Sequence, residues 1–589
     1  MTRTALQSEH MTQQTERPLR DRRPRTGPKG RGVDRGERAR VAALLGVGAT
    51  EPPRDLLIEC LHRLQDADGG LRRPALVALA DLMRLPMAEV YEVASFYHHF
   101  DLLDDDAPAP AAVTVRVCDS IACQMAGADA LHAELAASAP AGVRVLRAPC
   151  IGRCAEAPAV CVGQNAFGPA TPAAVADALR EGRTHAEPPE ALGDGRAYAR
   201  YRESGGYGLL AALAAADDQG TEAATATRER VFGALESANL RGLGGAGFPA
   251  GRKWRIVAAE PAPRLLVVNI DEGEPGTFKD RHYLERDPHR FLEGMLVAAW
   301  AVRAESCWIY LRDEYHALRH ALEQEIASLA SDPPAPGLPR IVLRRGAGAY
   351  ICGEESALIE SLEGKRGMPR LRPPYVAQVG LFGRPALAHN LETLWWVRDI
   401  LKRGDAAFGA HGRHGRKGLR SFSVSGRVRS PGVKLAPAGI TLAELVDEHC
   451  GGMLPGHALY AYLPGGASGG ILPARLAHLP LDFDTLAEHG CFIGSAAVVV
   501  LSQQDRAVDA ARNLMRFFRD ESCGQCTPCR SGTAKAVALM DAPHWDRGLL
   551  DELCTVMADA SICGLGQAAP NPIRCVMRYF AHELEGGTP

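Results

Sequence analysis

The sequence predicts a multidomain chain built from α/β and α+β units rather than one large fold. The 589 residues, 46% of them apolar, hold about four domains at roughly 150 residues each, and each has enough apolar content for a core. Through residues 241–415 strand-like runs alternate with helical patterns, as in a sheet covered by helices. Nearer the N-terminus two strand-like runs lead into cysteines, which puts thiols at the end of a second, smaller α/β unit.

Taken in order, residues 1–40 carry many Arg and Lys among Pro, Gly, Ser and Gln, with little to bury, and read as a disordered basic arm. That arm has no apolar core, so no secretory signal is expected; reduced thiols and a cytoplasmic location are. Over 41–108, Leu56, Leu57, Cys60, Leu61 and Leu64, then Val77, Leu79, Ala80, Leu82 and Met83, recur at the spacing of packed helices. Over 109–190, strands are expected at 113–117 and 143–146, just before Cys118 and Cys150. Residues 191–240 are rich in Gly, Ala and charge, helical near 207–214, and read as a connector. Within 241–415 the strands fall at 264–270, 307–311 and 340–343. Over 416–504, strands at 421–428 and 458–463 around a helical stretch at 442–449 suggest a β-grasp-like insert. Residues 505–589 are helical, interrupted by cysteines, and no internal repeat is visible.

Charge excludes one class of partner. With 67 Lys+Arg against 70 Asp+Glu the net charge is -3, without the basicity that nucleic-acid binding relies on. The apolar run 491–501 is well short of the ~18 residues a membrane helix needs.

The 16 cysteines sort by spacing. Cys523, Cys526 and Cys529 stand at three-residue steps, so one turning loop aims all three at a common centre that the remote Cys563 closes. Four thiolates so placed suit a cubane [4Fe-4S] cluster, with tetrahedral zinc as the competing occupant. Cys118, Cys123, Cys150 and Cys154 form two pairs that meet when two strand ends lie side by side, matching a [2Fe-2S] site; neither pair has the two-residue gap that zinc ribbons prefer. The remaining eight, Cys60, Cys161, Cys307, Cys352, Cys450, Cys491, Cys554 and Cys575, lie mostly inside apolar segments and read as packing residues.

Gly242, Gly244 and Gly247 fit GxGxxG, but a Rossmann fingerprint needs a strand before the glycines, and here a helical pattern precedes them and the strand follows. Backbone N–H groups freed by glycines, with Arg252 and Lys253 nearby, still predict a phosphate-bearing cofactor. Two more polar loops, 346–355 and 389–393, concentrate acids and amides of the kind that bind ligands.

The runs RGLGGAGFPAGRKW, NIDEGEPGTFKDR, RRGAGAYICGEESALIESLEGKRG, ESCGQCTPCRSGT and SICGLGQ resemble the NADH-binding 51 kDa-type flavoprotein subunit of respiratory complex I, from about Gly205 to the C-terminus. CDSIAC and APCIGRC resemble its 24 kDa-type partner, so two subunits are fused here. Such fusions are diaphorase (β) subunits of NAD-dependent, molybdenum- or tungsten-containing formate dehydrogenases and of NAD-reducing nickel-iron hydrogenases. VSGRVRSPGVKLAPAG and YLPGGASGGILP look closest to the formate dehydrogenase type, with a hydrogenase diaphorase subunit or a complex I NADH-input subunit as the alternatives. The resemblance implies a helical plus thioredoxin-like N-terminal part, a Rossmann-like FMN/NADH-binding domain, a β-grasp (ubiquitin-like) insert and a C-terminal helical bundle with an iron-sulfur cluster. It implies FMN, NAD+/NADH, a [4Fe-4S] and a [2Fe-2S] cluster as cofactors. It also implies a catalytic α subunit as partner, because no part of this chain shows ligands for molybdopterin or nickel-iron.

Position by position, the resemblance implies FMN contacts at Gly242, Gly244, Gly245, Lys253, Asn269, Asp271, Glu272, Gly353, Glu354, His389, Asn390 and Thr393. It implies NAD contacts at Phe248, Glu274, Glu355, Arg372 and Tyr375, with Phe248 stacked on adenine and Glu355 orienting the nicotinamide. Leu243 replaces a frequent Arg, Arg372 a common Lys, and His389 a usual second Asn. No side chain acts as acid or base in the scheme, since hydride passes through the flavin.

Overall fold

The computed structural model describes residues 32–47, 51–108, 110–186 and 197–585. Most of the basic arm, and the expected boundary near residue 190, lie outside the described residues. The end of the arm does not fit its reading: Arg35–Leu45 is a helix. Asp34 caps it by accepting from the Glu37 N–H at 2.7 Å, and Arg40 is gripped by Glu37 and Asp68, so these charges are paired. Helices Leu57–Asp68, Arg73–Leu82 and Met87–Phe96 bury the residues expected to face inward, among them Leu57, Leu61, Leu64 and Leu79. Two short strands, β1 (Leu71–Arg72) and β2 (Leu102–Leu103), pair beside them.

The next unit is a four-stranded sheet of β3 (Val113–Cys118), β4 (Val143–Ala148), β5 (Val160–Val162) and β6 (Asn165–Phe167), ordered β4-β3-β5-β6. β3 and β4 run parallel with Cys118 opposite Ala148, so both strands deliver their cysteine loops at one end.

The segment read as a connector is instead three helices, Tyr198–Glu203, Gly208–Ala214 and Thr221–Ser237, packed onto the central unit. Tyr201 donates to Glu293 at 2.6 Å and Tyr207 pairs with His289 at 2.8 Å, all buried. A few tyrosines supply the contact area that the Gly- and Ala-rich composition conceals.

The central sheet holds β7 (Arg264–Ile270), β8 (Ala304–Leu311), β9 (Arg340–Arg345) and β10 (Ala386–Asn390), all parallel and ordered β10-β7-β8-β9. From β7 the chain steps one way to β8 and β9, and β10 lies on the other side, so the order reverses at the β7/β10 boundary. A crevice at the carboxyl ends of the strands forms at such a point. His389 and Asn390, expected in a polar loop, end a buried strand whose short ALAHN sequence lacks β-branched residues.

The insert is a mixed five-stranded sheet of β11 (Leu419–Gly426), β12 (Gly432–Pro437), β13 (Leu459–Leu463), β14 (Leu472–Pro473) and β15 (Ala497–Ser502), ordered β12-β11-β15-β13-β14. The long apolar run ends in β15, the central strand, buried along its whole length, which explains its unbroken hydrophobicity. Helices Ala507–Asp520, Thr527–Met540, Arg547–Ala560, Gly564–Ala568 and Asn571–Tyr579 close the fold. Among the described residues no helix is long and apolar enough to cross a membrane.

Candidate functional site

Strand register builds the site. β7 and β10 set Asn269 and Asn390 side by side at the carboxyl ends of the sheet. Asn269 donates to the Gly353 carbonyl at 2.7 Å and accepts from the Asp271 N–H at 2.9 Å, tying the end of β7 to the loop of the second polar motif. Asn390 caps helix Leu391–Arg403, accepting from Glu392 N–H at 3.0 Å, and donates to Asp280 at 2.6 Å.

The glycine loop folds over these ends. Gly242 N–H donates to the Phe248 carbonyl at 2.8 Å, Gly247 N–H to that of Gly242 at 3.2 Å, and Leu243 N–H to the Thr393 hydroxyl at 2.9 Å. Gly244 comes so close to Asn390 that an added Cβ would lie 3.0 Å from that residue's own Cβ, and Gly245 has φ +124.

Between these parts lies a cavity of about 370 Å³. Of the residues carried over from the resemblance, Gly244, Gly245, Asn269, Asp271, Glu272, Glu274, Gly353, Glu354 and Asn390 line it. The others stand back from it. Gly242 and Thr393 brace the glycine loop. Lys253 is paired with Glu355 at 3.0 Å and with the Ala388 carbonyl at 2.8 Å. Arg372 lies 3.3 Å from Glu355 and also pairs with Glu354. Phe248, 41% exposed, carries the Arg252 guanidinium 5.8 Å from its ring centre, and Tyr375 is 54% exposed. His389 does not reach the cavity: its Nε2 accepts from Trp254 Nε1 at 2.8 Å in the core, and burial, then Lys253, push its basicity far down. With Nε2 turned to Trp254 the ring packs in the core, and His389 is not among the residues that line the cavity.

Sequence reading missed several cavity residues. Lys279, 1% exposed, lies 2.9 Å from Asp280, 3.1 Å from Glu392 and 3.2 Å from Asn390 Oδ1, and so fixes which way the Asn390 amide points. Tyr350 pairs with Glu274, while Ser468 N–H donates to Glu274 at 2.8 Å. The signal for Lys279 and Asp280 was their place in the NIDEGEPGTFKDR run, and for Ser468 its place in YLPGGASGGILP.

Burial raises the acids of the cavity. Asp271 stands well above the usual carboxylate range, and Glu272 is pushed up to about 7, first by burial and then by Asp280. Glu355 goes the other way: burial favours the neutral acid, but Lys253 and Arg372 outweigh it and hold the carboxyl low.

The cysteines of each expected set lie on neighbouring segments, and among the described residues no group of three or more His, Cys, Asp or Glu is already spaced to hold a metal ion. Cys118, Cys123, Cys150 and Cys154 are all at most 2% exposed, with 3.2 Å between the sulfurs of Cys150 and Cys154, and Phe278 of the central unit packs with Cys150 and Cys154. Hydrogen bonding to Cys118 and Cys154 makes Cys150 the acidic member. Arg312 bonds the Cys150 carbonyl at 2.6 Å and the Glu272 carbonyl, joining this loop to the cavity wall. In the other set Cys526 caps helix Thr527–Met540, Cys529 lies in its first turn, and Cys563 caps helix Gly564–Ala568. Gly566 lets the two segments close; a Cβ there would be 2.9 Å from that of Cys529. Gly564, Leu565 and Ala568 line the cavity, so the residue after Cys563 is already part of its wall.

Four family models match the chain. They are the Nuo51 FMN-binding domain over 235–399, the NADH-ubiquinone oxidoreductase-F iron-sulfur binding region over 509–587, the thioredoxin-like [2Fe-2S] ferredoxin over 47–183 and the SLBB domain over 421–472. An NADH-quinone oxidoreductase subunit of Rhizobium meliloti (strain 1021) is 41% identical over 405 residues, covering 66% of this chain and 94% of that protein. NADH dehydrogenase [ubiquinone] flavoprotein 1, mitochondrial, of Dictyostelium discoideum is 40% identical over 369 residues, 60% of this chain and 77% of that one. A chain in the crystal structure of an NAD+-reducing [NiFe]-hydrogenase in the H2-reduced state superposes with a TM-score of 0.77 at 32% identity, covering 91% of this chain and 94% of that one.

Proposed function

The chain belongs to the family of flavoprotein subunits of NADH-quinone oxidoreductases, and from that membership we propose that it is the NAD(H)-facing diaphorase subunit of an NAD-dependent formate dehydrogenase. It fuses a 24 kDa-type thioredoxin-like [2Fe-2S] part with a 51 kDa-type FMN/NADH-binding part, an SLBB domain and a [4Fe-4S] region. Its oxidoreductase chemistry therefore needs FMN, NAD(H) and two clusters.

The residues present suit those groups. Asp271 Oδ2 is buried and lacks any partner, an acceptor that a flavin N–H or ribityl hydroxyl would satisfy. Gly244 and Gly245 leave backbone N–H groups open to a phosphate, and the eight cysteines assigned to the clusters are all free thiols. When bound, FMN exchanges a two-electron hydride with nicotinamide and single electrons with the clusters.

In this reading the protein supplies geometry. Asn269, Asp271, Glu272, Gly353, Glu354 and Asn390 hold the flavin, with Lys253 and Thr393 bracing them from behind. Glu355, kept ionised by Lys253 and Arg372, orients the nicotinamide carboxamide; Phe248 and Tyr375, exposed at the lip, meet the adenine half; Glu274 completes the nicotinamide contacts. Cys523, Cys526, Cys529 and Cys563 hold the [4Fe-4S] cluster, and Cys118, Cys123, Cys150 and Cys154 the [2Fe-2S] cluster.

One observation carries the scheme: the wall of the glycine-loop cavity continues directly into Cys563 through Gly564, so a flavin there adjoins a cluster ligand. The formate partner rests on the likeness of VSGRVRSPGVKLAPAG and YLPGGASGGILP to the formate dehydrogenase type, and a cytoplasmic location goes with it. The hydrogenase chain, alike over nearly its whole length, supports a second reading with a nickel-iron partner. Metal analysis of the purified complex separates them: molybdenum or tungsten bears out the first, nickel the second.

A further inference from the structure

Two of the cysteines read as packing residues meet where the insert joins the C-terminal helices. Helix Asn571–Tyr579 lays one face on the insert: Asn571 donates to the Ser468 carbonyl at 2.9 Å, Arg578 to that of Glu488 at 3.3 Å, and Tyr579 to that of His489 at 3.2 Å. Cys575 falls midway along this face, four residues from Asn571 and from Tyr579, and so on the same side of the helix. Opposite it is Cys491, just past the turn that Arg578 and Tyr579 grip, with 3.5 Å between the two sulfurs. Gly470, at φ +82, roofs the pair; a Cβ there would lie 2.6 Å from the Cys491 sulfur and 3.0 Å from that of Cys575.

We infer that Cys491 and Cys575 are a disulfide-forming site that staples the iron-sulfur helices to the insert when the protein meets hydrogen peroxide. Three side-chain bonds to backbone carbonyls already fix the helix against the insert, so the sulfurs need close only from 3.5 Å to about 2.05 Å. The two thiols are hydrogen-bonded to each other, which pushes Cys491 up and Cys575 down and leaves Cys575 the readier nucleophile. Both are buried, but Gly490 and Phe492 on either side of Cys491 are exposed, so the pair is one residue from solvent. The step balances: the Cys575 thiolate attacks peroxide, the O–O bond breaks and one water leaves; Cys491 then displaces the second water from the sulfenic acid. One S–S bond forms, two thiols are oxidised and one peroxide is reduced to two waters. The staple bears on the site proposed for the flavin, because Gly465, Ser468, Phe492 and Gly494, on the two loops it would fix, line the cavity.

The test is thiol mapping of the purified complex, treated with graded hydrogen peroxide under anaerobic conditions, alkylated and digested without reductant, with cluster absorption read on the same samples. The expected result is a peptide pair joined through Cys491 and Cys575 while cluster absorption is intact, absent from Cys491→Ser and Cys575→Ser. Recovery of both cysteines singly alkylated at every dose, or a link formed only after the clusters bleach, overturns the inference. If a serine variant does not accumulate, mapping of the wild-type complex decides alone.

Discussion

Glu521 accepts a hydrogen bond from the backbone N–H of Tyr350 at 2.9 Å. That bond links the segment two residues ahead of Cys523 to a residue in the wall of the glycine-loop cavity, and Tyr350 in turn pairs with Glu274. The proposed flavin and cluster sites are thus tied together by bonds within the protein itself.

Glu521→Ala removes the acceptor from this N–H, at a cost of about 1–3 kcal/mol. A melting temperature lower by several degrees is expected, with Glu521→Gln close to wild type because it keeps an acceptor oxygen. Equal losses in both variants would show that the carboxylate charge, not the bond to Tyr350, is what matters.

Glu355→Gln keeps an oxygen for Lys253 but loses the charge that Lys253 and Arg372 sustain. NADH turnover per flavin should fall about tenfold or more, roughly 1.4 kcal/mol of lost transition-state stabilisation, with FMN content unchanged. Steady-state kinetics with an artificial acceptor, normalised to flavin, checks this, and undiminished turnover would remove Glu355 from the site.

Gly245 sits at φ +124, a conformation that side chains rarely adopt. Gly245→Ala is expected to cost about 1–3 kcal/mol locally and to lower FMN occupancy while iron content holds. Flavin and iron assays on one preparation measure both.

The helical unit meets the central sheet through buried histidines. His62 bonds the Gly346 carbonyl at 2.8 Å, and burial lowers its pKa to about 4 despite Asp313 and Asp66; His316, beside Asp313 and Arg345, is likewise lowered to about 4. A histidine whose folded pKa lies below its unfolded value contributes stability above the unfolded pKa, 6.5 here, and loses it as pH falls towards the folded one. Each should therefore cost about 1.5 kcal/mol between pH 6.5 and pH 5. Thermal melts across that range should show a smaller loss in His62→Gln than in wild type; parallel curves would refute the assignment.

Much of this was legible in the sequence wherever the signal was local. The strand expected at 113–117 is β3, ending at Cys118, and the apolar run 264–270 matched β7 end to end. The rest depended on distant partners. β10 looked like a polar loop because its strand character comes from pairing with β7, more than a hundred residues earlier. His389 looked like a ligand because the sequence does not reveal that Trp254 claims its ring nitrogen. Lys279 can be a buried cation because the distant Glu392 joins Asp280 against it. The segment 197–237 looked like a linker because a few tyrosines carry its packing.

The central claim is that this chain joins a flavin to two iron-sulfur clusters, and iron, zinc and flavin analysis of the anaerobically purified protein tests it most directly. The account predicts six iron atoms per chain, four in one cluster and two in the other, with one FMN and no stoichiometric zinc. Zinc in place of iron, or a colourless protein without flavin absorption, would contradict it.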